Sequence, residues 1–156
     1  MLTDEAVPPQ QGHAASRAHI LVVDDDAAIR KALRMVLEDE GYVVSEAQDG
    51  ARALEYLRSC GEPLVVLLDF MMPRMDGAAV LRAVVEDTRL ATRNAYVLVS
   101  ANYNTIARTC ASLLASLDVP VLAKPLDLDD LLETVEVEAS RVAAYSDSPQ
   151  QSQRLP

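Results

Sequence analysis

Cysteine is scarce. The 156 residues hold two, Cys60 and Cys110, far apart in the chain. With no secretory leader in sight both are expected to be reduced, and each falls in a helical pattern where a thiol serves packing. Histidine is equally scarce, and His13 and His19 lack the cysteine or carboxylate spacing of a zinc site. The opening Met1-Leu2-Thr3-Asp4-Glu5 is acidic and has no apolar h-region, so no signal peptide is read. No apolar run approaches the length of a membrane span. Positive charge is also short: 14 Lys and Arg stand against 24 Asp and Glu, a formal net charge of -10. That surplus repels phosphate backbones and argues against direct nucleic-acid binding. The expectation is a cytoplasmic chain without membrane, zinc or disulfide.

What is present is one domain's worth of chain. Residues 1–17 carry Pro8, Pro9, Gln10, Gln11 and Gly12 without apolar periodicity and read as a mobile extension. Residues 146–156 are polar and proline-flanked and read as a tail. The folded unit is expected over 18–145, with no internal repeat.

That unit is organised around Leu64-Val65-Val66-Leu67-Leu68-Asp69, followed by Phe70-Met71-Met72-Pro73. Five apolar residues without alternation suit a strand buried on both faces of a parallel sheet. A carboxylate at its end stands where open α/β sheets place their chemistry. Taken alone, Asp69 reads more readily as a turn residue. The chain, however, repeats the design. Ile20-Leu21-Val22-Val23 runs into Asp24-Asp25-Asp26, Tyr96-Val97-Leu98-Val99 into Ser100, and Val121-Leu122-Ala123 into Lys124-Pro125. The stretch Tyr42 to Glu46 alternates like an edge strand and delivers no such residue.

Helical patterns fill the intervals. Ile29, Leu33, Val36 and Leu37 share a face opposite Arg30, Lys31 and Arg34, and Gly41 supplies a left-handed stop. Further helices are expected from Ala51 to about Cys60, from Asp76 to about Glu86 and from about Thr105 to Leu117. The third of these five turns Val80, Leu81, Val84 and Val85 inward. The last starts near Asp129 and turns Leu132, Val135, Ala139 and Val142 inward. Five strand–helix units imply a parallel sheet covered on both faces, because each crossover needs a helix and is right-handed.

Clustered carboxylates repel one another and call for a hard cation or shifted pKa values. Mg²⁺ takes one or two carboxylates with waters and phosphate oxygens. A carboxylate so held can attack phosphorus and form an aspartyl phosphate. A cation on one side and an ammonium on the other stabilise the transferred group, and a hydroxyl can donate to a further oxygen. Acid pair, nucleophile, hydroxyl and lysine together make a phosphoryl acceptor.

Val22-Val23-Asp24-Asp25-Asp26, Leu67 to Pro73, Met75-Asp76-Gly77, Val99-Ser100-Ala101 and Lys124-Pro125 resemble the receiver domain of two-component response regulators, in order and spacing, over about His19 to Ala143. The resemblance implies a three-layer, doubly wound (βα)₅ fold of flavodoxin type with strand order 2-1-3-4-5. It implies Asp69 as phosphoacceptor, served by a histidine kinase or phosphotransfer protein. Mg²⁺, or Mn²⁺ in its place, would be held by Asp24, Asp25, Asp69 and the Met71 backbone carbonyl. Ser100 would be the hydroxyl that moves on phosphorylation, Lys124 the partner of the acyl phosphate, and the bond to Pro125 cis. Asp26 falls where the family carries Glu or another polar residue and is assigned no metal role.

Two departures stand out. Receivers usually carry Tyr or Phe three residues before the lysine, where this chain has Val121. The Gly-Ala common before the fifth strand is replaced by Ser116 to Pro120. With the usual ring missing, Tyr103 is the aromatic nearest Ser100 and the candidate switch residue. No output sequence follows, so the resemblance is to stand-alone receivers, which act on a partner protein as monomers or as dimers formed on phosphorylation. Such a chain catalyses its own phosphoryl transfer and is not a turnover enzyme. Two other readings compete: a receiver fold that binds partners without phosphorylation, and a haloacid-dehalogenase-like phosphatase with Asp24 as nucleophile. Against the second, Ala28 stands where that family has Thr or Val, no cap domain fits, and Asp69 is left unexplained.

Overall fold

A computed structural model describes residues 17–146, in which strands and helices alternate. His13, most of the expected N-terminal extension and the tail beyond 146 lie outside the described residues. In chain order the elements are β1 (His19–Val23), α1 (Ala27–Asp39), β2 (Val43–Ala47), α2 (Gly50–Ser59), β3 (Leu64–Asp69), α3 (Gly77–Glu86) and α4 (Thr88–Arg93). Then come β4 (Ala95–Ser100), α5 (Tyr103–Thr109), α6 (Ala111–Leu117), β5 (Val121–Ala123) and α7 (Leu128–Ser146). The five strands are parallel in the order β2-β1-β3-β4-β5.

Every residue of β3 is buried, because both faces of this central strand are covered. Leu64, Val66 and Leu68 face one core with Leu54, Leu57, Val80, Leu81, Val84, Leu90 and Ile106. Val65 and Leu67 face a second core with Leu37, Leu131, Val135 and Val142. Thus α1 and α7 cover one side of the sheet and α2 to α6 the other. The absence of alternation in β3 is the imprint of two apolar layers. The margin strand β2 buries Val44 and Ala47 and exposes Val43 and Glu46.

Helix ends follow local chemistry. Asp26, Asp49, Asp76, Asp87 and Asn102 cap α1 to α5, each accepting backbone N–H bonds from the first turn. Gly41 takes φ +92 and stops α1 as its position suggests. Four aspartates are therefore spent on capping, where helices begin.

Seven helices, not five, occupy the described residues. Asp87 ends α3 and starts the six-residue α4, which drops Leu90 into the core; one residue serving as stop and cap hides the second helix from periodicity. The helix expected over Thr105 to Leu117 breaks at Cys110 (φ −126, ψ 11). Thr109 and Ser116 turn their hydroxyls back onto the carbonyls of Thr105 and Ser112, a competition that bends helices poor in strong formers. Smaller corrections concern facing. Val85 is exposed, and Leu131 rather than Leu132 is fully buried. Along α1 only Leu37 is wholly buried. Arg30 and Arg34 do not simply face solvent: both pair with Glu46 of β2.

Candidate functional site

Strand register assembles the site. Val23 stands opposite Leu68, so the next residues along, Asp24 and Asp69, are level neighbours at the carboxyl edge. Asp69 in turn stands opposite Val99, one residue before Ser100, and Ser100 opposite Ala123, one residue before Lys124. Asp24, Asp69 and Lys124 thus share one crevice, with Ser100 at the adjoining end of β4.

Asp24 and Asp69 are only 4% and 5% exposed, whereas Asp25 is open to solvent. The three offer carboxylate oxygens all within 4.8 Å of one another. Lys124 Nζ lies 3.2 Å from Asp69 Oδ1 and 3.6 Å from Asp24 Oδ2. Burial pushes the Asp69 carboxyl up from its ordinary range and the charge of Asp24 adds to this, outweighing the opposing pull of Lys124. For Lys124, burial works against the ammonium, but its bond to Asp69 and the charges of both acids leave it raised. The crevice therefore carries more negative charge than its one lysine balances. Hard oxygen donors with an uncompensated charge fit a small divalent cation.

The loops are tightly specified. Asp24 Oδ1 accepts the N–H of Asp26 at 2.9 Å, and Asp26 spends its own carboxylate capping α1. After β3, Phe70 N–H bonds Val99 O and Gly77 N–H bonds Phe70 O at 2.8 Å. A Cβ on Gly77 would stand 2.9 Å from Phe70 Cα and 3.0 Å from the Asp69 carbonyl, so only glycine lets α3 lie this close beneath the loop. Arg74 takes φ 69 at the loop's tip, a left-handed conformation that costs a non-glycine residue about 1 kcal/mol. Met71 N–H reaches Asp69 Oδ1 at 3.4 Å, and the Met71 side chain is exposed.

Ser100 is buried and its Oγ accepts the backbone N–H of Asn102 at 3.0 Å. The Lys124-Pro125 bond is cis. Val121 is partly buried against the core below α5 and α6, opposite Leu98. Tyr103 opens α5 and is 59% exposed, so the two candidate switch positions lie in unlike surroundings, one packed and one solvated.

Three residues of the site are not apparent from sequence reading. Arg30 donates from Nη1 to the Asp24 carbonyl at 2.6 Å while its Nε bonds Glu46, bracing the β1 end against β2. No local signal marks it, since its role depends on β1 and β2 being neighbours. Asn102 links Ser100 to α5, and its position before an N-cap pattern was the available clue. The packing role of Gly77 is hidden within a stretch read only as part of the family resemblance.

Comparison with known proteins follows the same line. Residues 20–136 match the sequence profile of the response regulator receiver domain. A response regulator named MprA, from Mycolicibacterium vanbaalenii, is 42% identical over 113 residues, covering 72% of this chain and 46% of the relative. The chain spans about half the length of the curated relatives it matches. Among solved structures, a CheY-like receiver domain protein from Methanospirillum hungatei aligns with TM-score 0.68 and 29% identity, over 83% of this chain and 98% of that one. A response regulator receiver protein from Pseudomonas putida aligns with TM-score 0.65 and 30% identity, over 78% and 98%.

Proposed function

Because this chain belongs to the response regulator receiver domain family, we propose that Asp69 accepts a phosphoryl group from a phosphohistidine of a histidine kinase or phosphotransfer protein. The observation that carries the reading is the pairing of a buried, poorly compensated Asp69 with Lys124 at 3.2 Å in a crevice of carboxylates. An Asp69 carboxylate oxygen attacks phosphorus. The new P–O bond forms as the P–N bond breaks, and the imidazole leaves with the electron pair. Lys124 then faces the charge spread over the transferred oxygens, and the Ser100 hydroxyl turns from Asn102 N–H to donate to one of them. Asp24, Asp25, Asp69 and the Met71 carbonyl would hold Mg²⁺, whose Lewis acidity offsets phosphoryl charge.

Burial of Asp24 and Asp69 has a second use in this reading. It strengthens each electrostatic contact in the crevice. The phosphorylated state differs from the free one in the partner of Ser100 and therefore in the Asn102–Tyr103 segment, which presents Tyr103 to a partner protein. Asp24 as a phosphatase nucleophile is disfavoured, since it leaves Asp69, the nearer contact of Lys124, without a role.

Intact-mass spectrometry after incubation with phosphoramidate tests the proposal. One phosphoryl group is expected with Mg²⁺, none with chelator, and none on Asp69→Asn in either condition. Uptake by Asp69→Asn at the wild-type rate would reject Asp69 as acceptor. The absence of any adduct would favour a binding module that works unphosphorylated.

A further inference from the structure

Helices α5 and α6 lie end to end but are fastened in different ways. The first turn of α5 is held through Ser100, whose Oγ accepts Asn102 N–H at 3.0 Å, while the Asn102 side chain caps α5 by accepting Thr105 N–H at 3.2 Å. Beyond that, Ile106 is the one buried residue of α5. A seven-residue helix has no stability of its own, so these few contacts decide whether it stays formed and docked.

The other helix is tied at its far end. Val119 N–H bonds Leu114 O at 2.9 Å, and Asp118 takes a left-handed conformation that closes α6. The Asp118 carboxylate meets Arg141 Nη2 of α7 at 3.0 Å, and Arg141 also donates to the Asp118 carbonyl. Leu113, Leu114 and Leu117 pack on the core. Between the helices, Cys110 leaves helical geometry and gives α6 no side-chain cap. Its thiol is buried, with 1% exposure.

We propose that α5 is a separately opening segment, latched to the sheet through the Ser100 hydroxyl and hinged at Cys110, while α6 stays docked through Leu113, Leu114 and Leu117. The latch and hinge stand on the geometry alone. Their trigger rests on the phosphoryl-acceptor reading, in which Ser100 gives up its contact with Asn102. Opening α5 lifts Ile106 away from the core and uncovers the Cys110 thiol, so signal output is confined to residues 103–109 and Tyr103 moves with them.

The test uses the full chain carrying Cys60→Ser, so that Cys110 is the one thiol. Iodoacetamide labelling of Cys110 and amide exchange are followed together. Replacing Ser100 by Ala removes the latch without any phosphate. Labelling is then expected to accelerate about fivefold, the effect of losing one hydrogen bond of ordinary strength. Exchange should rise over 103–109 and stay unchanged over 113–117. Leu114→Ala, which takes an apolar contact from α6, is expected to do the reverse. If either variant loosens 103–117 as one unit, or if Ser100→Ala leaves Cys110 as slow as before, the hinge is overturned. Beryllofluoride with Mg²⁺ is the third arm and should reproduce the Ser100→Ala pattern. A response to Ser100→Ala but none to beryllofluoride supports the hinge and rejects its coupling to the acceptor site.

Discussion

Lys124 Nζ approaches Asp69 Oδ1 more closely than Asp24 Oδ2, at 3.2 against 3.6 Å, and is the one cation paired with either acid among the described residues. The ammonium thus occupies the place of a counterion for two buried carboxylates. Lys124→Met is expected to destabilise the metal-free protein by about 2 kcal/mol, below the full cost of breaking a buried pair because the lysine is partly exposed. The same change should tighten Mg²⁺ roughly tenfold, by removing a competing charge. Urea unfolding and calorimetric titration of Mg²⁺ measure the two effects. Loss of stability with unchanged Mg²⁺ affinity would place the cation elsewhere.

Asp25 is the exposed member of the acid cluster. Replacing it by Asn relieves repulsion without opening a cavity, so the metal-free melting temperature should rise by about 3 °C while Mg²⁺ binding weakens. A fall in melting temperature with normal Mg²⁺ affinity would make Asp25 a structural residue.

At Gly77 the nearest atoms to an added Cβ are backbone atoms of Phe70 and Asp69. They yield only if the acceptor loop moves. Gly77→Ala should cost about 2 kcal/mol in urea unfolding and slow phosphoryl uptake as well. A variant of wild-type stability and rate would show that the loop relaxes freely.

Glu138 is nearly buried on α7 and pairs with Arg141 at 2.9 Å. Burial pushes its carboxyl up, and the opposing pull of Arg141 does not cancel this. A raised pKa in the folded state means that the contribution to stability is fully present below the ordinary glutamate value and is lost as pH rises through the folded one. Glu138→Gln should therefore flatten the fall in stability that begins near about pH 4, and its neutral-pH midpoint should not drop. Thermal melts across that range decide the matter, with a steeper pH dependence in the variant as the contrary result.

Tyr103 spends little of its surface on the fold. Tyr103→Ala is expected to change stability by less than about 0.5 kcal/mol and to leave Asp69 phosphorylation intact. Affinity for a partner recovered with the beryllofluoride form should lose its dependence on that state. Full retention of the difference would remove Tyr103 from the signalling face.

The alternation of strands and helices is legible in the sequence because each layer imposes its own period on neighbouring residues. The run Leu64 to Leu68 announces a strand covered on both faces, and Gly41 announces the end of α1. Asp24, Asp69, Ser100 and Lys124 can be singled out because each directly ends an apolar strand. These are local signals, carried by the chemistry of adjacent residues. Tertiary structure decided what depends on segments far apart. The strand order and register set Asp24 level with Asp69, and they give Arg30 the Asp24 carbonyl to hold. Packing of α7 onto the sheet buried Glu138 despite its charge, and the fit of α3 on the other face left Val85 in solvent. The break at Cys110 and the extra helix after Asp87 came from side-chain bonds and from the core's demand for Leu90. Periodicity records which side of an element is apolar. It does not record which element lies against that side, and this second fact turns four polar strand ends into one site.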